Sequence, residues 1–166
     1  MLSLIFPNIS HKTSYLDMIE EWKSYEAPSS PGALFRGENF EEFLELAVDD
    51  MTSNRFWVPA TLFFLMDWDR ILGAIQIRHH IDHPRLKEYG WHIGNGIRPS
   101  ERRKWYAREM LNLALDETRE LWIERVLICC YDDNPGSYKV IESNEGTFDR
   151  YTEYEWKKSR RYWITL

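Results

Sequence analysis

The stretch that decides the fold reads HIGNGIRPSERRKWYAREML, residues 92–111. We expect a strand that ends at Ile97 and Arg98, because the proline that follows cannot donate to a β-ladder. Ser100 is then placed to cap a helix, and Arg102 to Lys104 lead into it. Apolar residues continue at helical spacing and predict one buried stripe, which comprises Ala107, Met110, Leu111, Ala114, Leu115 and Leu121.

A strand, a basic turn and a helix N-terminus together favour the binding of an anion. The first N–H groups of a helix have no partner within it, and the helix dipole adds positive potential at that end. Arg102, Arg103 and Lys104 lie at this point of the sequence. The pattern predicts a pyrophosphate-type ligand, although a solvated helix start would also carry surface cations. Because cations at a helix N-terminus oppose the dipole, the ligand interpretation is favoured.

The other elements follow from apolar periodicity and from the positions of proline, glycine and capping residues. Their order predicts a mixed α/β sheet with helices on both faces. The predicted elements are a strand Leu2–Phe6, a helix His11–Tyr25 capped by Ser10, a loop Ala27–Gly32, a helix Phe40–Met51 capped by Asn39, a hairpin of Val58–Met66 and Ile71–Arg78, a polar loop His79–Leu86, a buried strand Val126–Tyr131, a short helix Pro135–Asn144, and a closing hairpin of Thr147–Tyr154 and Arg160–Leu166.

Residues 102–107, RRKWYA, resemble motif A of the GNAT family of N-acetyltransferases, whose signature is Gln/Arg-x-x-Gly-x-Gly/Ala. Arg102 and Ala107 match this pattern, whereas Trp105 stands at the central glycine. A second block, DDNPGSYKVI at residues 132–141, is similar to motif B of the same family. The two blocks occur in the family's order and spacing, and the resemblance extends from about Leu34 to the C-terminus.

The resemblance implies a GNAT-like acyltransferase fold, an α/β protein with a central, mostly antiparallel mixed sheet and helices on both faces. It implies an enzyme that moves an acetyl group from acetyl-CoA to a primary amine of a small molecule or peptide. A catalytically silent acyl-CoA-binding or regulatory module on the same fold is the alternative. Trp105 and Ile141 favour the silent module, because the family has glycine and often a catalytic tyrosine there. The matching residues of both motifs favour the enzyme.

The resemblance also assigns the contacts to acetyl-CoA. Backbone N–H groups from Arg102 to Ala107 would bind the pyrophosphate, assisted by the charge of the arginine side chains. The strand that ends at Ile97 and Arg98 splays in this family, and its free peptide groups would pair with the pantetheine arm and the thioester. Asn134 and Ser137 would contact the cofactor arm, or they could be ordinary helix caps. The expected cofactor-binding residues are Ile97, Arg98, Arg102, Arg103, Lys104, Trp105, Tyr106, Ala107, Asn134 and Ser137.

Acid–base candidates for the transfer are His92, then His79, then Asp132 or Asp133. His92 comes first because an imidazole titrates near neutral pH and this residue lies on the central strand. It could equally be a structural histidine. The family's usual general-acid position is occupied by Ile141, so a water chain could serve instead.

Composition limits the other possibilities. A chain of 166 residues with 43% hydrophobic and 29% charged residues is most simply one globular domain, residues 1–166. A net charge of −6 argues against a nucleic-acid partner, and no apolar run is long enough for a membrane helix. Two adjacent cysteines and no leader favour a cytoplasmic protein without disulfides. The histidines match no zinc spacing, so we expect no metal. A homodimer is left open by the resemblance.

Eight tryptophans against eight glycines is unusual, and three of the tryptophans stand where glycine is expected. Trp105 lies where backbone passes close to a phosphate, Trp122 follows the end of a helix, and Trp68 lies in a hairpin turn. The turns could be rebuilt without positive φ, the cofactor site could be narrowed, or the sequence could be altered from a natural parent with glycine. We expect the Trp105 ring to turn outward and leave its N–H free for phosphate.

Overall fold

The computed structural model describes residues 1–25, 30–55, 57–154 and 156–166. Seven strands and five helices are formed by these residues, together with three short 3₁₀ segments. In chain order the elements are β1 Leu2–Ile5, a 3₁₀ turn Ile9–His11, α1 Lys12–Ser24, a 3₁₀ turn Gly32–Phe35, α2 Phe40–Asp49, β2 Ala60–Asp67, β3 Arg70–Arg78, α3 Pro84–Tyr89, β4 Ile93–Ile97, a 3₁₀ turn Pro99–Glu101, α4 Tyr106–Glu120, β5 Arg125–Tyr131, α5 Pro135–Glu142, β6 Thr147–Tyr154 and β7 Lys157–Thr165.

The strands form two antiparallel sheets rather than the single sheet that the sequence predicts. One sheet has the order β1-β2-β3-β4 and the other has the order β5-β7-β6. No ladder joins β4 to β5 among the residues described. Just before β4, the His92 N–H donates to the Leu127 carbonyl of β5 at 2.8 Å and the Leu127 N–H donates to His92 Nδ1 at 2.8 Å. The chain therefore opens a cleft between β4 and β5 beyond this point.

Helices cover both faces of the first sheet, as predicted. On one face α1 and α2 bury a cluster that includes Tyr15, Trp22, Phe43, Phe64 and Ala74. On the other face α4 and α5 pack against β3, β5 and β7. The buried residues of this second cluster include Ile75, Ile77, Met110, Leu111, Ala114, Val126, Ile141 and Tyr162. The cleft between β4 and β5 thus lies between two packed layers.

Several local predictions are confirmed. Asn39 caps α2, and its side chain accepts from the Glu42 N–H at 2.9 Å. The β2–β3 and β6–β7 hairpins form, and the apolar strand β5 lies in the core. Of the predicted stripe, Met110, Leu111, Ala114 and Leu115 are buried, Ala107 is partly buried and Leu121 is 36% exposed, while Thr118 completes the buried face. Thr118 fits there because its hydroxyl donates to the Leu115 carbonyl at 2.8 Å.

Other boundaries differ from the prediction. Helix α4 begins at Tyr106, not in the 102–104 run, and Ser100 lies in a separate 3₁₀ turn instead of capping it. Helix α1 begins at Lys12 with His11 at its N-cap, because Asn8 caps the 3₁₀ turn before it. Pro84 starts a short helix α3 inside the predicted polar loop, since proline is favoured in a first helical turn.

The last strand, β7, begins three residues earlier than predicted, at Lys157. Much of the predicted loop Ala27–Gly32 lies outside the described residues, and Gly32 begins a 3₁₀ turn. Among the helices described, none is long and apolar enough to cross a membrane.

Candidate functional site

The cleft begins at the His92–Leu127 junction, and beyond it no backbone hydrogen bond joins β4 to β5 among the described residues. In β4 the Arg98 N–H donates to the Leu72 carbonyl of the preceding sheet segment at 2.9 Å, and the His92 carbonyl accepts from Arg78. Along an antiparallel ladder the N–H and C=O groups of successive residues point to opposite sides. Since Arg98 and His92 bond toward β3, the peptide groups of Asn95 and Ile97 point away from β3 and toward the cleft. This edge of β4 is where an extended ligand arm would form hydrogen bonds.

Five consecutive backbone amides lie beyond the C-terminal end of β4, away from the junction. The N–H groups of Arg103, Lys104, Trp105, Tyr106 and Ala107 have no acceptor in the described part of the chain. Arg103 and Trp105 have positive φ, 62° and 63°, and Lys104 between them does not. Alternation of this kind turns successive N–H groups toward one concave surface. The segment also carries the N-terminus of α4, so it has the electrostatics of an anion site.

Trp105 does not fill this concave surface. Its side chain is 62% exposed and its ring lies 5.1 Å from that of Tyr106, while its N–H stays without a partner. The ring lines a groove of about 610 Å³ along α4, together with Arg108 and Asn144. The ring thus points outward, as expected, although the backbone has kept the left-handed conformation.

The three expected cations have different surroundings. Arg102 folds back on the end of β4, where its Nε donates to the Ile97 carbonyl at 3.1 Å. Lys104 pairs with Glu101 at 3.0 Å. Arg103 is exposed and has no ion-pair partner within the described ranges. Of the three side chains, Arg103 is the one available to an anion at the amides.

The Arg98 side chain is buried, with 2% of it exposed, and its guanidinium is bonded to other parts of the protein. Its guanidinium bonds Glu21 and Asp17 of α1 and the Ile71 carbonyl. Glu21 also accepts from the Ser100 N–H at 2.6 Å, and these bonds hold the pKa of Glu21 below its usual value against the opposing effect of burial. Arg98 therefore ties α1 to the turn that leads into the amides, and neither its N–H nor its side chain faces the cleft.

Asn134 and Ser137 lie at the start of α5. The Asn134 side chain accepts from the Ser137 N–H at 3.2 Å, which makes it the N-cap of this helix. Burial keeps the pKa of the Cys130 thiol above its usual value, against the opposing effect of the Ser137 side chain. Both residues are near the C-terminal end of β5, on the far side of the cleft from the amides of α4.

The acid–base candidates are engaged in other interactions. Burial lowers the pKa of His92 to about 4, and its Nδ1 accepts from Leu127, so the ring is neutral at pH 7. Asp132 pairs with Arg160 at 2.6 Å, and these bonds lower its pKa. His79 Nε2 lies 2.8 Å from the Thr61 hydroxyl, and burial lowers its pKa. Asp133 is 3.7 Å from Lys157.

Two buried side chains near the junction were missed by the sequence reasoning. Gln76 and Arg78 of β3 are 4% and 8% exposed, and each has a side-chain nitrogen without a partner. In the sequence they are polar residues within an otherwise apolar strand, and this interruption could have marked them as functional candidates. Among the described residues, no group of histidine, cysteine, aspartate or glutamate could hold a metal ion.

The sequence profile of the acetyltransferase (GNAT) domain matches residues 16–147 of this chain. The chain belongs to the GNAT acetyltransferase family. As a GNAT acetyltransferase it has the fold expected from its two motifs, and it is an enzyme of the acyltransferase class. No curated protein sequence matches this GNAT chain.

Solved structures of other acetyltransferases share the fold of this GNAT chain. A ribosomal L7/L12 α-N-protein acetyltransferase, RimL, in complex with coenzyme A is 18% identical with a TM-score of 0.71, over 99% of this chain and 94% of RimL. The microcin C7 self-immunity acetyltransferase MccE, bound to acetyl-CoA and AMP, is 17% identical with a TM-score of 0.69, over 99% and 92%. The spermidine/spermine acetyltransferase SpeG from Vibrio cholerae is 16% identical with a TM-score of 0.66, over 99% and 95%.

Proposed function

We propose that this chain transfers the acetyl group of acetyl-CoA to a primary amine of a small molecule or peptide. The proposal rests on five consecutive backbone N–H groups, from Arg103 to Ala107, that have no acceptor among the described residues. These groups could donate hydrogen bonds to the oxygens of a pyrophosphate. Family membership supports the reaction class, and the named neighbours act on different amines.

The cleft supports a defined placement of the donor. The pyrophosphate would accept hydrogen bonds from the five amides, with Arg103 adding charge. The pantetheine arm would lie along the edge of β4 that carries the peptide groups of Asn95 and the N–H of Ile97, because Arg102 already bonds the Ile97 carbonyl. The thioester would then lie near the His92–Leu127 junction, where the two sheets meet.

The transfer does not require a protein side chain as general base. The neutral amine attacks the thioester carbonyl, the carbon–nitrogen bond forms and the carbon–sulfur bond breaks. The amine loses a proton and the departing coenzyme A thiolate gains one. His92 and Asp132 are both engaged, so we infer that water carries this proton and that the β4 edge provides donors to the oxyanion.

Calorimetry with acetyl-CoA and with S-acetylpantetheine tests the donor site. Acetyl-CoA is expected to bind at least tenfold more tightly, because only acetyl-CoA carries the pyrophosphate that the amides would hold. Equal affinities, or no binding at millimolar ligand, would contradict the proposal. If Trp105→Gly alone restores binding, then the outward Trp105 ring does hinder the cofactor and our expectation for it is wrong.

Release of free thiol over a panel of amines tests the transfer itself. The panel contains polyamines, amino acids, amino-acid amides and peptides with free N-termini. Thiol release that depends on the amine, with acetylated product seen by mass spectrometry, is the expected result. Tight acetyl-CoA binding without transfer to any amine would favour the catalytically silent module.

A further inference from the structure

Gln76 and Arg78 lie on one face of β3, next to the point where the cleft begins. Side chains alternate along a strand, and Ala74 two residues earlier packs in the α1 and α2 cluster. Gln76 and Arg78 therefore face the α1 side of the sheet. Gln76 pairs across the ladder with Gly94, and the Arg78 N–H donates to the His92 carbonyl at 2.7 Å. Both residues thus border the junction where the thioester would lie.

The two side chains have hydrogen-bond donors that nothing in the described chain accepts. Gln76 Nε2 and Arg78 Nε are buried without a partner. Arg78 Nη1 donates to the Trp91 carbonyl at 3.0 Å, and its guanidinium lies 5.2 Å from the centre of the Trp91 ring. No described carboxylate lies within 4.0 Å of Arg78, whereas the similarly buried Arg161 pairs with Asp149 at 2.9 Å. Among the described residues, Arg78 is a buried cation without a paired carboxylate.

This arrangement is costly for a protein unless a ligand compensates it. Burial lowers the pKa of Arg78 to about 10, because the charged guanidinium loses its contact with solvent. Across the ladder from Gln76, Gly94 contributes no side chain, and Pro31 and the half-buried Trp91 border that position. A ligand carboxylate on this face of β3 would offset the charge of Arg78 and accept from the unpartnered donors of the two side chains.

Building on the proposed acetyl transfer, we propose that Arg78 and Gln76 bind a carboxylate of the amine acceptor, which is an amino acid or a compound of that kind rather than a polyamine. The bound carboxylate would hold the reacting amine on the α1 side of β4, opposite the donor arm. A polyamine would instead bring a second cation toward a buried arginine.

Thiol release is measured for an amino acid and its carboxamide, an acceptor pair that differs only in the carboxylate. The amine of a carboxamide loses its proton more easily, so a preference for the amino acid must come from binding. We expect kcat/KM to be roughly tenfold or more higher for the amino acid, from charge-assisted hydrogen bonds. Arg78→Met should abolish this preference while acetyl-CoA binding is kept, and Arg161→Met serves as the control for loss of a buried arginine.

Equal rates for the two acceptors, or a preference for polyamines, would overturn this assignment and leave the proposed transfer standing. Failure to bind acetyl-CoA would overturn both. If Arg78→Met does not fold, Gln76→Met gives the same comparison, with a smaller expected loss of preference.

A second inference rests on the tryptophans. Five of the eight tryptophans have φ between 55° and 70°, the region that glycine favours and bulky residues avoid. They are Trp57, Trp68, Trp105, Trp122 and Trp156. All five are exposed, whereas Trp22 is buried and Trp91 and Trp163 are half-buried. Two other non-glycine residues share the conformation, Arg103 and Glu145.

Two of the five occupy turns in which glycine has a defined place. After α4, the Trp122 N–H donates to the Arg119 carbonyl and the Ile123 N–H to the Thr118 carbonyl. This is the Schellman motif, with Trp122 at the glycine position. In the β2–β3 hairpin Asp67 pairs with Arg70, so Trp68 is the first residue of a two-residue turn, with φ 55°. A type II′ turn has glycine there.

We infer that these five are glycine positions of the fold and that the functional protein carries glycine at them. Glycine and tryptophan codons can differ by one base, and the rings of Trp68, Trp122 and Trp156 are at least 86% exposed. At residue 105 this would restore the glycine that motif A leads one to expect beside the phosphate.

Paired variants test this inference at each position. Trp→Ala removes the ring but keeps Cβ. If Trp→Gly is more stable than Trp→Ala, the difference measures the cost of placing a Cβ on the left-handed backbone. We expect each glycine variant to have a folded-to-unfolded ratio roughly tenfold above its alanine counterpart at the same site. Peptide mass spectrometry of the protein from its natural source should find glycine at all five. Tryptophan there, or alanine variants at least as stable as glycine variants, would overturn the inference.

Discussion

His92 and Leu127 exchange two hydrogen bonds, both 2.8 Å long, and these join the start of β4 to β5. One bond is between backbone groups, and the other uses His92 Nδ1 as the acceptor for the Leu127 N–H. The acceptor nitrogen must be unprotonated for the second bond to exist. The junction of the two sheets therefore depends on a neutral imidazole.

This dependence predicts a loss of stability in acid. The pKa of His92 is lowered to about 4 in the folded chain, whereas an unfolded histidine titrates near 6.5. Between these values the unfolded chain binds more protons, so the free energy of unfolding falls as pH drops from about 6.5 to about 4. The loss due to His92 should be on the order of 3 kcal/mol. Urea unfolding at pH 7 and pH 4.5 measures it.

His92→Asn is the matched control for this titration. An asparagine oxygen can accept from the Leu127 N–H, but it does not titrate. The variant should show a shallower pH dependence than the parent over the same interval. An unchanged slope would assign the acid sensitivity to other groups.

Ala107→Pro deletes one of the five unpartnered amides and leaves the rest of the cradle in place. Proline is tolerated in the first turn of a helix, so α4 should form normally. We expect acetyl-CoA affinity to fall roughly tenfold or more, because a charge-assisted hydrogen bond is lost. Ala107→Ser keeps the N–H and should bind as the parent does. Equal calorimetric affinities for the two variants would show that this amide does not contact the ligand.

The two carboxylates that bond Arg98 should differ in their effect on stability. Glu21 is largely buried and bonds both Arg98 and the Ser100 N–H, whereas the Asp17 side chain is 69% exposed. Glu21→Gln leaves a buried cation poorly compensated and should cost about 2–4 kcal/mol in thermal or urea unfolding. Asp17→Asn should cost less than about 1 kcal/mol. Similar losses in both variants would contradict the assignment of Glu21 as the main partner.

Cys129 should react slowly with alkylating reagents. Burial raises the pKa of its thiol to about 12, and its Sγ lies 3.2 Å from the Gly90 carbonyl. At pH 8 roughly one thiol in ten thousand would be ionised, and the thiolate is the reactive form. Iodoacetamide followed by mass spectrometry should find Cys129 unmodified in the native protein and modified in urea. Rapid native modification would show that the thiol is more accessible than the structure indicates.

Much of the fold could be predicted because local signals agree with tertiary packing. Asn39 followed by an amphipathic segment predicted α2, and the apolar run in β5 predicted a buried strand. The start of α4 was misplaced because the turn from Arg102 to Trp105 uses two left-handed residues that no sequence rule anticipates for arginine and tryptophan. The motif pointed to the correct segment, but not to the backbone that forms it.

The site was harder to predict where function depends on partners far apart in sequence. Arg98 was assigned to the ligand, yet its surroundings come from α1, some eighty positions earlier. His92 was assigned to catalysis, and only the approach of Leu127 reveals its role in the junction. Gln76 and Arg78 looked like interruptions of an apolar strand. Whether a polar side chain is buried without a partner depends on residues far away in the sequence, so a sequence pattern does not reveal it.

The missing ladder between β4 and β5 also affects how the protein responds to its substrate. A ligand arm that bonds the β4 edge and contacts β5 would act as an additional strand, and it would join two sheet edges that no ladder connects among the described residues. Binding of this arm would then stabilise the folded state and make the two sheets unfold together. The chain with bound acyl donor would then unfold more slowly and resist protease longer than the free chain.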